Sequence, residues 1–141
     1  MKKPWLNDLH IDMTQEQASV VFLDDSEDLR ALMPLVLEPA LGVKCMCFGS
    51  LMEFEEHPND VLRAKVAILD INLGPNVPDG IDAFNWLVAH GFHGKILFFT
   101  GHTRTVPQVE VPQGTGIEIL EKPLQPGQLI SHVRRALNGN P

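Results

Sequence analysis

No apolar stretch in this chain approaches the roughly 18 residues that a membrane-spanning helix requires, so no helical span is expected. The N-terminus opens Met1-Lys2-Lys3, but Pro4 and polar residues follow where a secretory signal would need an apolar core. A cytoplasmic protein is therefore expected. Basic residues are few, with 11 Lys and Arg against 18 Asp and Glu and a net charge of −7. That balance disfavours nonspecific binding to nucleic acid, and no basic helix or second domain is evident after Lys122 to read DNA. Neither nucleic acid nor a membrane is expected as a partner. Cysteine is limited to Cys45 and Cys47. Spaced by two within the run Val43–Phe48, they fall on one face of a strand. Without a second pair they make a poor zinc site, and they read as small apolar filler in a reducing compartment.

What remains is ordinary globular material: 141 residues, 44% hydrophobic and 21% charged, enough for one domain with a proper core. No internal repeat or low-complexity segment is visible. Short apolar runs alternate with helical periodicity. Strands are expected at 19–24, 43–48, 65–70, 95–100 and 116–121. Between them, Leu29, Leu32, Met33, Val36, Leu37 and Ala40 repeat at core-facing helical spacing, with a kink expected at Pro34. Ser50 is placed to cap a short helix carrying Leu51, Met52 and Phe54. Ile81, Phe84, Leu87 and Val88 form the inward side of a further helix. Leu129, Ile130, Val133 and Leu137 form the stripe of a last one, starting near Pro126. Residues 1–17 read as an N-terminal extension in which Trp5, Leu6, Leu9 and Met13 fall at helical spacing, expected to pack back on the domain at 18–141. The βα alternation with continuous apolar strands predicts a doubly wound α/β fold on a parallel sheet.

The strand ends carry the chemistry. Asp24 and Asp25 close Val20–Leu23, Asp70 closes Val66–Leu69, Thr100 closes Lys95–Phe99, and Lys122-Pro123 follows Ile117–Glu121. Ligands in such folds bind at the carboxyl ends of the strands. Three carboxylates there repel one another, by roughly 4 kcal/mol per pair about 4 Å apart at an effective dielectric near 20. An all-oxygen donor set points to Mg²⁺ as the ion that neutralises them. Each residue also has a plainer reading. Asp70 could simply end a strand, Asp24 or Asp25 could cap the following helix, and Thr100 and Lys122 could be ordinary strand exits.

The set Asp24-Asp25, Asp70, Thr100 and Lys122-Pro123, in that order and spacing, resembles the receiver domain of bacterial two-component response regulators. The likeness covers roughly residues 18–139. It implies a five-stranded sheet of flavodoxin-like order 2-1-3-4-5, with Asp24 and Asp25 beside Asp70. It also implies that Asp70 is the phosphoacceptor, that Asp25 and Asp70 bind Mg²⁺ directly with Asp24 acting through water, and that the backbone carbonyl of Asn72 supplies another ligand. Lys122 would pair with Asp70 at rest and with a phosphoryl oxygen afterwards, and Thr100 would shift inward onto another. The Lys122–Pro123 bond is expected to be cis. His102 either tunes dephosphorylation or is an exposed loop residue; His10, His57, His90, His93 and His132 show no ligand pattern. The phosphoryl donor implied is a histidine kinase or a histidine phosphotransfer protein, with output through protein contact.

The chain departs from that family in three places. The loop 71–79 is about two residues longer than usual. Ile119 occupies the position of the switch aromatic, and the chain has no tyrosine. The segment 106–116, with two prolines and two glycines, makes the helix between strands 4 and 5 short or missing. These departures leave a phosphorylation-independent adaptor on the same scaffold as the alternative, with loop 101–116 as the expected working surface. A haloacid-dehalogenase-like phosphatase would want an acid where Asn72 stands. A flavodoxin phosphate loop would not read Asp24-Asp25-Ser26-Glu27-Asp28.

Overall fold

The computed structural model describes residues 18–71, 80–101 and 117–139. Five parallel strands form one sheet: β1 (Val20–Leu23), β2 (Cys45–Phe48), β3 (Val66–Asp70), β4 (Lys95–Thr100) and β5 (Glu118–Glu121), in the order β2-β1-β3-β4-β5. This is the expected doubly wound order, with strands shorter by one or two residues at several ends. Whether a helix links β4 to β5 falls outside the described residues, as do the length of loop 71–79 and the expected helix within 1–17.

Alternation along buried strands splits the core in two. Val21, Leu23, Ala67, Leu69, Ile96 and Phe98 face one side, where they meet Phe54, Val61, Phe84 and Leu87. Val20, Phe22, Val66, Ile68, Leu97 and Phe99 face the other and meet Met33, Leu37, Leu129 and Val133. Both faces are covered by helices, which is why the three central strands are apolar except at their ends, where Asp70, Lys95 and Thr100 stand.

The helices are α1 (Glu27–Leu41), α2 (Leu51–Glu55), α3 (Pro58–Arg63), α4 (Gly80–Ala89) and α5 (Pro126–Leu137). Ser26 caps α1, its hydroxyl accepting from Leu29 N at 3.2 Å. The capping role considered for Asp24 or Asp25 thus belongs to Ser26. α1 continues as one element through Pro34 and Pro39, whose missing N–H groups would have met the carbonyls of Arg30 and Leu35, neither of them buried. Its buried stripe is narrower than expected: Met33 and Leu37 are buried, while Leu32 is 50% exposed and Ala40 is exposed. Val88 of α4 is also exposed rather than inward, because Ala83, Phe84 and Leu87 already fill that helix's contact with the sheet. Ser50 caps α2 as expected, its hydroxyl accepting from Glu53 N at 3.2 Å. Phe54 is buried and Met52 exposed. α3, a single turn and a half opened by Pro58, is a helix that periodicity alone does not reveal. No described helix is long and apolar enough to cross a membrane.

Candidate functional site

Strand register assembles the site at the carboxyl edge of the sheet. Leu23 pairs with Leu69, so Asp24 and Asp70 come out abreast. Thr100 ends β4 opposite Glu121, and Lys122 follows. Asp24, Asp70 and Thr100 are the buried polar side chains among the described residues, at 1%, 3% and 0% exposure, whereas Asp25 is exposed. Oxygens of Asp24, Asp25 and Asp70 all lie within 4.8 Å of one another. Among the described residues this is the one group of three or more His, Cys, Asp or Glu side chains close enough to share an ion.

Two buried carboxylates side by side need compensation, and Lys122 supplies part of it. Its Nζ donates to Asp24 Oδ2 at 2.9 Å and lies 3.4 Å from Asp70 Oδ1. Nζ also sits 5.0 Å from the centre of the Phe99 ring, a cation–π contact. The ammonium therefore bridges both acids and lies closer to Asp24, where a resting pair with Asp70 was expected. Lys122 N donates to Thr100 O at 2.7 Å, which fixes the start of its side chain at the end of the β4–β5 ladder. The Lys122–Pro123 peptide is cis, as expected.

Asp24 is held at every polar atom of its carbonyl end and carboxylate. Oδ1 accepts from Ser26 N at 2.8 Å, and its main-chain carbonyl accepts from Arg30 Nη1 at 2.8 Å. Arg30 was not singled out in the sequence. The available signal was a lone arginine one turn into α1, within reach of the strand end it follows. Gly80, the first residue of α4, was not singled out either. A Cβ there would lie 2.6 Å from the Asp70 carbonyl oxygen, so only glycine lets α4 begin against the end of β3.

Three carboxylates against the Lys122 ammonium and the Arg30 guanidinium, which reaches the Asp24 carbonyl and not a carboxylate, leave the cluster net acidic. All donors are oxygens, two of them on buried side chains, and this is the donor chemistry of a hard dication. The residues present fit Mg²⁺. Asn72, the expected carbonyl ligand, and His102 lie outside the described residues. His57 meets Phe48, His90 stacks on Trp86 at 4.3 Å, and His132 Nδ1 lies 2.6 Å from Glu118 Oε2. Ile119 is 49% exposed on β5.

The cysteines sit away from the acids on the edge strand β2, Cys45 buried and Cys47 half-buried on the same face. The Cys45 thiol hydrogen-bonds to Cys47 and is buried, and both push its pKa up. The same bond, with help from the Arg30 charge, lowers that of Cys47.

Residues 20–134 match the response regulator receiver domain family. No curated protein is significantly similar in sequence to the chain. Among solved structures, the chain is similar to the chemotaxis protein CheY4 of Vibrio cholerae, with 20% identity and a TM-score of 0.66 over 85% of this chain and 98% of that one. A response regulator receiver protein from Pseudoalteromonas atlantica is 24% identical, with a TM-score of 0.67 over 85% and 97% of the two chains. A sensor protein from Polaromonas is 21% identical, with a TM-score of 0.70 over 87% and 98%. At these identities the likeness is one of fold.

Proposed function

Because the chain belongs to the response regulator receiver family, whose members are signalling domains of two-component systems, we propose that it is a phosphorylatable switch in a phosphorelay. In this reading residues 18–141 are the receiver and 1–17 its extension, acting in the cytoplasm. The phosphoryl donor is a histidine kinase or a histidine phosphotransfer protein, and the output is contact with another protein. The observation that carries the proposal is the convergence of Asp24, Asp25 and Asp70 around a lysine that pairs with two of them.

Asp70 acts as nucleophile. A carboxylate oxygen bonds to phosphorus, the phosphorus–nitrogen bond of a phosphohistidine breaks, and an acyl phosphate forms. Asp24, Asp25 and Asp70, with the Asn72 carbonyl, would hold Mg²⁺, which when bound offsets the charge gathered between nucleophile and phosphoryl group. Lys122 is tethered by its backbone to Thr100, so its ammonium can exchange a carboxylate oxygen for a phosphoryl oxygen without leaving the pocket. The buried Thr100 hydroxyl stands at the adjoining strand end, suited to donate to a second phosphoryl oxygen. The acyl phosphate thereby creates acceptors that the resting site lacks, which is how a local charge change biases a two-state element.

A second reading, a phosphorylation-independent adaptor on the same scaffold, is favoured by one observation: the position of the switch aromatic is an exposed isoleucine, Ile119. Intact mass after incubation with acetyl phosphate separates the two. The switch predicts a single phosphoryl adduct on the wild type that requires Mg²⁺ and is absent from Asp70→Asn. Folded protein that takes no phosphoryl group from acetyl phosphate or from any histidine kinase, and binds no Mg²⁺, would establish the adaptor instead.

A further inference from the structure

The opposite edge of the sheet carries a groove that the phosphoacceptor reading does not use. It is a shallow, open groove of about 490 Å³ where β3 and β4 begin and α5 ends. Arg63, Lys65, His93 and Lys95 line it, with Leu62 and Leu137 supplying apolar wall. Lys95 N bonds to Lys65 O at 2.9 Å, so two lysines stand on adjacent strand starts. Among the described residues none of Arg63, Lys65 and Lys95 forms an ion pair. Like charges gathered on neighbouring strands of an acidic protein call for an acidic partner.

The chain supplies one at the right place. Residues 1–17 join the described structure at Ala18, and Ser19 O accepts from Lys65 N at 2.8 Å and Val66 N at 3.1 Å. The first described residues after the extension therefore lie beside Lys65, one of the residues lining the groove. In its sequence Trp5, Leu9 and Met13 recur every fourth residue, and so do Asp8, Asp12 and Glu16. At helical spacing these are two stripes side by side, one apolar and one acidic. The groove offers the matching pair, an apolar wall and a cationic rim. We propose that the N-terminal extension docks in this groove of its own chain, Asp8, Asp12 and Glu16 facing Lys65, Lys95 and Arg63, and Trp5 and Leu9 facing Leu62 and Leu137.

Trp5 and Trp86 are the two tryptophans, so the full chain carrying Trp86→Phe reports on Trp5 alone. Acrylamide should quench its fluorescence several-fold less than that of free tryptophan, independently of protein concentration. Lys65→Glu with Lys95→Glu should abolish the protection, as should Asp8→Lys with Asp12→Lys, and combining all four should restore it. Trp5 as accessible as free tryptophan in the parent, indifference to both charge reversals, or failure of the combination to restore protection would each overturn the proposal. So would protection that appears only as concentration rises, since the occupant would then be a second copy. Hydrogen exchange on the unaltered chain gives the same reading without the Trp86 change: residues 4–16 exchange slowly in wild type and several-fold faster in Lys65→Glu/Lys95→Glu, and equal rates would overturn it.

Discussion

At the carboxyl edge of the sheet Asp24 and Asp70 are buried and share the ammonium of Lys122. At the amino edge Arg63 and Lys65 are exposed, and among the described residues they have no ion-pair partner. Both edges gather charge of one sign, yet only one of them is forced into a fixed geometry. A desolvated carboxylate must be hydrogen-bonded or paired, and Asp24 is held by Ser26, Lys122 and, through its carbonyl, Arg30. Solvated lysines face no such demand and are available for reversible contacts. Parallel topology here supplies two charged rims, and burial separates the one that is a chemical site from the one open to docking.

The largest effect that could break this contrast is removal of the compensating cation. Lys122→Ala leaves two buried acids facing each other and should lower stability by about 3 kcal/mol in metal-free buffer, with much of the loss recovered on adding Mg²⁺. Chemical denaturation with and without the ion measures both. A loss independent of Mg²⁺ would mean that the acids do not depend on external positive charge.

Two glycine substitutions sharpen the comparison. Gly80→Ala would set a Cβ 2.6 Å from the Asp70 carbonyl, and Gly94→Ala would set one 2.6 Å from the Lys65 carbonyl and 2.5 Å from the Phe92 ring. Each should destabilise by roughly 1–3 kcal/mol through overpacking. Only Gly80→Ala should also slow phosphorylation by acetyl phosphate, since only it displaces the nucleophile's strand end. Equal slowing in both variants would erase the distinction between the edges.

The smallest effect concerns β2. With its pKa lowered by the Cys45 hydrogen bond and by Arg30, Cys47 holds more thiolate and is also the more exposed of the two thiols. Native alkylation near pH 8 should modify Cys47 first, as peptide mapping would read. Preferential labelling of Cys45 would reverse the assignment of donor and acceptor.

Asp24, Asp70 and Thr100 were legible because each is the first polar residue after an unbroken apolar run, and Lys122 because it directly follows the last strand; a parallel sheet brings such ends to one edge. Asp24, Asp70, Thr100 and Lys122 all stand where that rule puts them. What supports them was not legible. Arg30 acts on a main-chain carbonyl and Gly80 matters for the side chain it lacks, and neither leaves a mark in residue spacing. The depth of a helix face escaped as well. Periodicity ranks Leu32 and Val88 with their buried neighbours, but the width of the buried stripe is set by how few side chains fill each helix's contact with the sheet, Met33 and Leu37 in α1 and Ala83, Phe84 and Leu87 in α4. Bridging by Lys122 followed from a register that places Asp24 and Asp70 abreast, which sequence alone does not order by distance.

The most direct test of the central claim is to locate the phosphoryl group. Borohydride reduces an acyl phosphate to an alcohol, so trapping after phosphorylation converts the acceptor aspartate to homoserine. Homoserine is expected at position 70 alone, formed only when Mg²⁺ is present. Homoserine at 24 or 25, or labelling that is unchanged in Asp70→Asn, would contradict it.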